Sequence, residues 1–234
     1  YAYCAWNPVK LVDPDGRDIW KVNGSGELIW QKASETDKII ANDGSFVDVM
    51  EGVLERGVSY TKADNKCFSL NFEENRDNAF EVFEFMADHS DVEFSLLGLA
   101  RTPSSSEADR FIITTSFNEH GDAHGSSHSY KASVQNRMRF HVHNHPGDNP
   151  RIDPSSSLNN GEMLFLAAGI NRGNDIEFSK LIRIGSPSCT FSIYGKTNKG
   201  GSYRPFALTD NIPDYSYQGS MINKINGHYE YKTQ

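Results

Sequence analysis

Apolar residues recur at helical spacing most clearly in "DNAFEVFEFMADHS". There Phe80, Phe83 and Ala87, with Val82 and Met86, fall at three- and four-residue steps behind a capping Asp77 or Asn78. A helix is predicted over that stretch. "DIWKVNGSGELIWQK" instead holds two apolar runs around Asn-Gly-Ser-Gly, the pattern of a β-hairpin. In "SFVDVMEGVLERG", Val47, Met50, Val53 and Leu54 gather on one side of a predicted short helix. "DVEFSLLGLA", "RFIITTSF" and "RMRFHVHNHP" are compactly apolar or β-branched and predict strands, the last stopped by Pro146. "NEHGDAHGSSHSY" reads as a solvated loop. His120, His124 and His128 recur every four residues, but Gly121, Gly125 and the paired serines oppose the helix that would align them. "NGEMLFLAAGI" predicts a buried helix, "DIEFSKLIRIG" and "CTFSIYGK" two more strands, and the Tyr-rich tail beyond Gly200 a cover over the sheet. The order of elements is that of an α/β or α+β domain. Three segments are expected: a boundary over 1–17, a β-hairpin appendage over 18–44 and the main domain over 45–234.

Composition narrows this picture. A chain of 234 residues with 37% hydrophobic residues can bury a sizeable core, and no apolar run is long enough to cross a bilayer, so no membrane partner is expected. With 23 Lys and Arg against 31 Asp and Glu, the net charge of −8 repels a phosphate backbone, and nucleic acid is not the expected partner. Cys4, Cys67 and Cys189 are widely spaced and form no CxxC, so any metal must be held by His and oxygen ligands. The chain opens "YAYCAWNP", without Met or a signal-peptide profile, and is expected to continue a longer one.

The candidate chemistry sits in "RFHVHNHPGDNP". In an extended strand, side chains two apart share a face, so His141, His143 and His145 would point the same way. Such imidazoles can converge on a cation; zinc accepts His nitrogens, and a catalytic zinc keeps three protein ligands and a water. A solvated sheet edge is the structural alternative. An HNH-like nuclease centre, flanked by Arg137 and Arg139, is another, although the second, spaced histidine of such a centre is missing. Glu93 lies inside an apolar run, where an unpaired charge is costly. Either that strand is an edge with Glu93 facing water, or Glu93 is a general base beside a metal-activated water.

Together these segments resemble the JAMM (JAB/MPN) metallopeptidase family. Its pattern is a Glu opening an apolar strand, a second strand, His-x-His-Pro, and then Ser-x-x-Asp leading into a helix. "VEFSLLGLAR", "RFIITTSF" and "FHVHNHPG" stand for the first three parts, within roughly residues 78–194. The resemblance implies a JAMM/cytidine-deaminase-like mixed sheet flanked by helices and a Zn2+ cofactor. It assigns Glu93 to general acid/base work and His143 and His145 to the metal, and leaves His141 outside the motif. The fourth part departs from the pattern. "PGDNPRIDPSSSLNNGEML" is longer than usual, and "SLNN" fits the spacing only with Asn160 in place of the acid. Glu162, followed by Met163 and Phe165, is a second candidate for the third ligand, and Asp153 and Asn159 are further ones. Ser156 or Ser157 would stabilise the oxyanion. An Asn ligand lacks the charge that helps hold a dication, so a JAMM-like fold that has lost its metal and binds a partner is a further alternative.

The N-terminal "YAYCAWNPVKLVDPDGR" is similar to the end of the Rhs repeat core, which precedes variable C-terminal toxins. Asn7-Pro8 and Asp13-Pro14-Asp15-Gly16 match, and Trp6 replaces the usual Asn. This second resemblance implies a polymorphic toxin, secreted or delivered into a target cell by a bacterial producer. Its implied partners are a protein substrate, a cognate immunity protein, and the Rhs core with its secretion apparatus. A metal-dependent nuclease toxin is the alternative within the same class.

Overall fold

The structure is a computed structural model that describes residues 17–146, 163–166, 169–172, 175–197, 200–205, 222–225 and 228–231. The predicted hairpin forms from β1 (Asp18–Val22) and β2 (Leu28–Ala33). It is extended by β3 (Lys38–Ile40), parallel to β1, and by β4 (Phe46–Asp48) into a four-stranded sheet ordered β2-β1-β3-β4. The short helix predicted around Val47–Leu54 is absent. β4 and turns take its place, and Gly52 and Gly57 adopt φ of 82° and 87°, conformations that no right-handed helix contains.

A six-stranded sheet forms the centre. Its elements in chain order are β5 (Phe68–Glu73), α1 (Arg76–Asp88), β6 (Phe94–Leu99), β7 (Arg110–Thr115), α2 (Ala123–Val134) and β8 (Met138–Asn144), followed by α3 (Asp175–Gly185), β11 (Thr190–Thr197) and β12 (Gly200–Pro205). Two small ladders stand apart: β9 (Met163–Leu166) with β10 (Gly169–Arg172), between β8 and α3 in the chain, and β13 (Ile222–Ile225) with β14 (His228–Tyr231) after β12. The central strand order is β12-β11-β8-β6-β7-β5, and every neighbouring pair is antiparallel except β8 and β11. A parallel pair requires a crossover, and the chain from β9 through α3 supplies it. The fold is thus α+β, mixed sheets flanked by helices, as the sequence implies.

Three further predicted elements change type. "NGEMLFLAAGI" contains the strand β9 and the start of β10 in place of a helix, an ambiguity inherent to short apolar runs. "DIEFSKLIRIG" is α3 in place of a strand: Phe178 and Ile182, four apart, are both buried. The expected loop holding His124 and His128 is α2. Asp122 caps that helix through His124 N–H, and its buried positions are Gly125, Ser126, Ser129 and Ser133. Its inward face is small and polar, so hydrophobic periodicity has nothing to register.

Two hydrophobic clusters occupy opposite faces of the central sheet. α1 and the small N-terminal sheet cover one face, where Phe80 and Phe83 meet Leu96, Phe111, Phe140 and Val142. On the other face Leu97, Ile112 and Phe191 meet Phe178 and Ile182 of α3, with Tyr130 of α2 packed alongside. The start of the tail, expected to cover the sheet, instead joins it as the edge strand β12, from which Tyr203 is buried in the first cluster.

Candidate metal centre

Strand β8 is buried along its whole length, so the question of a solvated sheet edge is settled for its histidines. The ladder pairs His141 with Leu97 and His143 with Ser95 on β6, and with Phe191 and Ile193 on β11. Cross-strand partners share a face, so both imidazoles point toward α2 and α3. His141 is fully buried, its Nδ1 2.9 Å from Ser129 Oγ of α2 and its ring stacked on Phe191. Burial, reinforced by the neighbouring His143, pushes its pKa well below the ordinary 6.5. A neutral, packed imidazole of this kind is part of the core.

His143 and His145 behave differently. Their Nε2 atoms face each other at 3.1 Å beyond the end of β8. Asp175, the first residue of α3, brings Oδ1 to 3.5 Å from His143 Nε2 and Oδ2 to 3.6 Å from His145 Nε2. These three residues form a group able to hold a metal ion, one ligand atom from each lying within 4.8 Å of the others. A tetrahedral ion bound at about 2.0–2.1 Å needs ligand atoms roughly 3.3–3.4 Å apart; the His143–His145 pair at 3.1 Å lies close to that value, and each Asp175 oxygen lies close to it for one of the two histidines. Burial alone would raise the Asp175 carboxyl, but the charges and hydrogen bonds of His143 and His145 outweigh it and hold the group far below the ordinary carboxylate range. The helix N-terminus also favours an ionised carboxylate at that position. Two imidazole nitrogens and a buried carboxylate are the borderline donor set that zinc accepts.

Glu93 immediately precedes β6 and is 4% exposed, so it does not face water. Val92 and Phe94 on either side belong to the core on the α1 face. Alternation therefore turns Glu93 to the opposite face, that of Ser95 and His143. Continuing the β6–β8 register by two residues past Ser95 and His143 brings Glu93 level with His145.

Asp175 was not among the sequence candidates for the third ligand. Those candidates, Asp153, Asn159, Asn160 and Glu162, and the oxyanion candidates Ser156 and Ser157, lie outside the described residues. Reading "DIEFSKLIRIG" as a strand hid Asp175. The recoverable signal was an acid opening a segment whose Phe178, Leu181 and Ile182 recur at helical spacing. His124 and His128 stand one turn apart on α2, ring centroids 4.6 Å apart, and neither belongs to the His143 group. His124 Nε2 lies 3.3 Å from Ser69 Oγ on β5.

No helix among the described residues is long and apolar enough to cross a membrane. Residues 71–180 match the family model described as JAB-like toxin 1, which supports a JAB-like toxin domain over that stretch. The matched span contains Glu93, His143, His145 and Asp175. Neither the curated proteins nor the solved structures give a match.

Proposed function

We propose that the chain carries a zinc-dependent peptidase or isopeptidase toxin, delivered into a target cell from an Rhs-type core and neutralised by a cognate immunity protein. The observation that carries this reading is the convergence of His143, His145 and Asp175 at the end of β8, on the sheet face to which Glu93 turns. Bound zinc would polarise the scissile carbonyl and lower the pKa of a water toward about 7. His143 and His145 would contribute neutral Nε2 lone pairs, and the charge of Asp175 would offset part of that of the cation. Glu93 would take the proton released during attack and return it to the leaving amine, a role that suits a carboxylate held out of bulk water. His141 serves as packing beneath the ligands. Ser157, assigned to the oxyanion by the family resemblance, completes the proposed set. The acidic surface of a chain with net charge −8 suits a basic immunity protein.

The test is zinc content together with toxicity on expression inside a bacterial host. Wild type should hold zinc and arrest growth. His143→Ala should lose both properties, and Glu93→Gln should keep zinc while losing about 10²–10⁴-fold in activity. Full toxicity in both variants would sink the proposal, and steady degradation of plasmid or RNA by the purified chain would favour the nuclease alternative.

A further inference from the structure

Asn144 stands between the two histidine ligands in sequence, yet its side chain serves another strand. The β6–β8 ladder begins at the pair Ser95 and His143, so main-chain pairing stops one residue short of Asn144 and Phe94. There the Asn144 amide replaces the missing ladder. Its Oδ1 accepts from Phe94 N–H at 2.7 Å, and its Nδ2 donates to the Val92 carbonyl at 3.2 Å. Both bonds are buried, and Asn144 is 3% exposed.

These contacts fall on the two peptide groups flanking Glu93. The backbone of Glu93 itself is held from the other side: its N–H donates to the Asn118 carbonyl at 2.8 Å, and its carbonyl accepts from Thr115 Oγ1 at 2.9 Å. All four hydrogen-bonding groups from the Val92 carbonyl to Phe94 N–H are therefore fixed. Two of the four are fixed by one side chain that travels with His143 and His145. We propose that Asn144 is a positioning residue: it sets the carboxylate of Glu93 relative to the ligand pair, so that moving the histidines moves the base with them. A short side chain carrying both a donor and an acceptor meets that requirement, and neither Ala nor Leu does.

This inference rests on the proposed function, in which Glu93 moves the proton. Its test uses the full chain, with cobalt(II) as the metal probe and the inducer level giving half-maximal growth arrest as the activity scale. In Asn144→Ala, cobalt affinity should stay within about threefold of wild type, while the inducer requirement rises about 10–100-fold, the range for loss of an outer contact or a displaced catalytic group. Amide exchange at Phe94 should quicken by about tenfold or more, because its acceptor is gone. Combined with Glu93→Asp, which already displaces the carboxylate, Asn144→Ala should cost less than the product of the two single losses. Asn144→Asp, of the same size, keeps the acceptor for Phe94 but turns a carboxylate toward the Val92 carbonyl. It should show the same preserved affinity with a smaller loss, and it carries the test if the Ala variant does not fold. A tenfold drop in cobalt affinity, unchanged toxicity, or losses that multiply would each overturn the inference. A wild-type chain that takes up neither cobalt nor zinc would instead overturn the metal-centre reading beneath it.

Discussion

The two faces of the central sheet are built from different materials. Under α1 the contacts are aromatic and dry: Phe80 lies 5.5 Å from Phe140 and 5.9 Å from Tyr203, centroid to centroid, and Phe83 lies 5.7 Å from Tyr194. Under α2 the same sheet presents buried Ser95, Thr114, His141 and His143 to a helix whose inner side is Gly125, Ser126, Ser129 and Ser133. The first face gains stability from area, since each buried aromatic removes a large apolar surface from water. The second adds to its own apolar cluster under α3 a set of specific hydrogen bonds under α2, which lets polar and titratable groups sit in an interior without being expelled from it. Asp122 shows the difference. Fully buried at the start of α2, it accepts from Thr114 Oγ1, from Ser116 Oγ and from His124 N–H. Both faces thus hold the fold together, but only the α2/α3 face also carries the candidate chemistry.

The largest effect expected from breaking this division is on the polar side. Asp175→Asn removes the one anionic ligand of the group and should take zinc from stoichiometric occupancy to none, as read by native mass spectrometry. Asn160→Ala and Glu162→Ala should leave zinc in place. If either of those releases zinc while Asp175→Asn does not, the third ligand has been misassigned. On the dry side, Phe83→Ala should cost about 3–5 kcal/mol of unfolding free energy in urea without changing zinc stoichiometry in the folded fraction. A loss of zinc there would mean that the faces are not independent.

A smaller effect is expected at the close approach between α2 and the sheet. A Cβ on Gly125 would lie 2.4 Å from Asp122 Oδ2 and 2.6 Å from both Ser95 Oγ and Thr114 Oγ1. Two of these atoms, Asp122 Oδ2 and Thr114 Oγ1, are already hydrogen-bonded to each other, so they cannot yield freely. Gly125→Ala should cost about 1–3 kcal/mol by thermal or urea unfolding, and a neutral result would show that α2 can lift from the sheet.

The smallest effect concerns pH. Burial, then the charges of His124 and Lys131, push His128 below 6.5; Asp122 pulls the other way and Arg110 adds to the repulsion. The folded value is the lower one, so the stability linked to this group is complete above about pH 6.5 and is lost as pH falls through the folded value. His128→Gln should therefore flatten part of the acid slope of stability between about pH 7 and pH 5 and leave the neutral plateau unchanged. An unaltered slope would show that folding does not lower the pKa of this ring.

What the sequence determined by itself is what short periods encode. The helical repeat of Phe80, Phe83 and Met86 gave α1, and the apolar runs gave β6, β7, β8 and β11, because each of these elements buries apolar side chains at its own period. The same rule put His143 and Glu93 within reach of a shared sheet face, since parity along a strand is a local property. α2 escaped that reading because its buried side is serine and glycine, and α3 because a short apolar segment fits either period. The third ligand was decided only in three dimensions. Asp175 reaches His143 and His145 because β11 runs parallel to β8, and the crossover helix this requires begins beside the strand end where the histidines stand. No spacing along the chain encodes that meeting, because the length of the intervening segment is free while the topology that closes it is not.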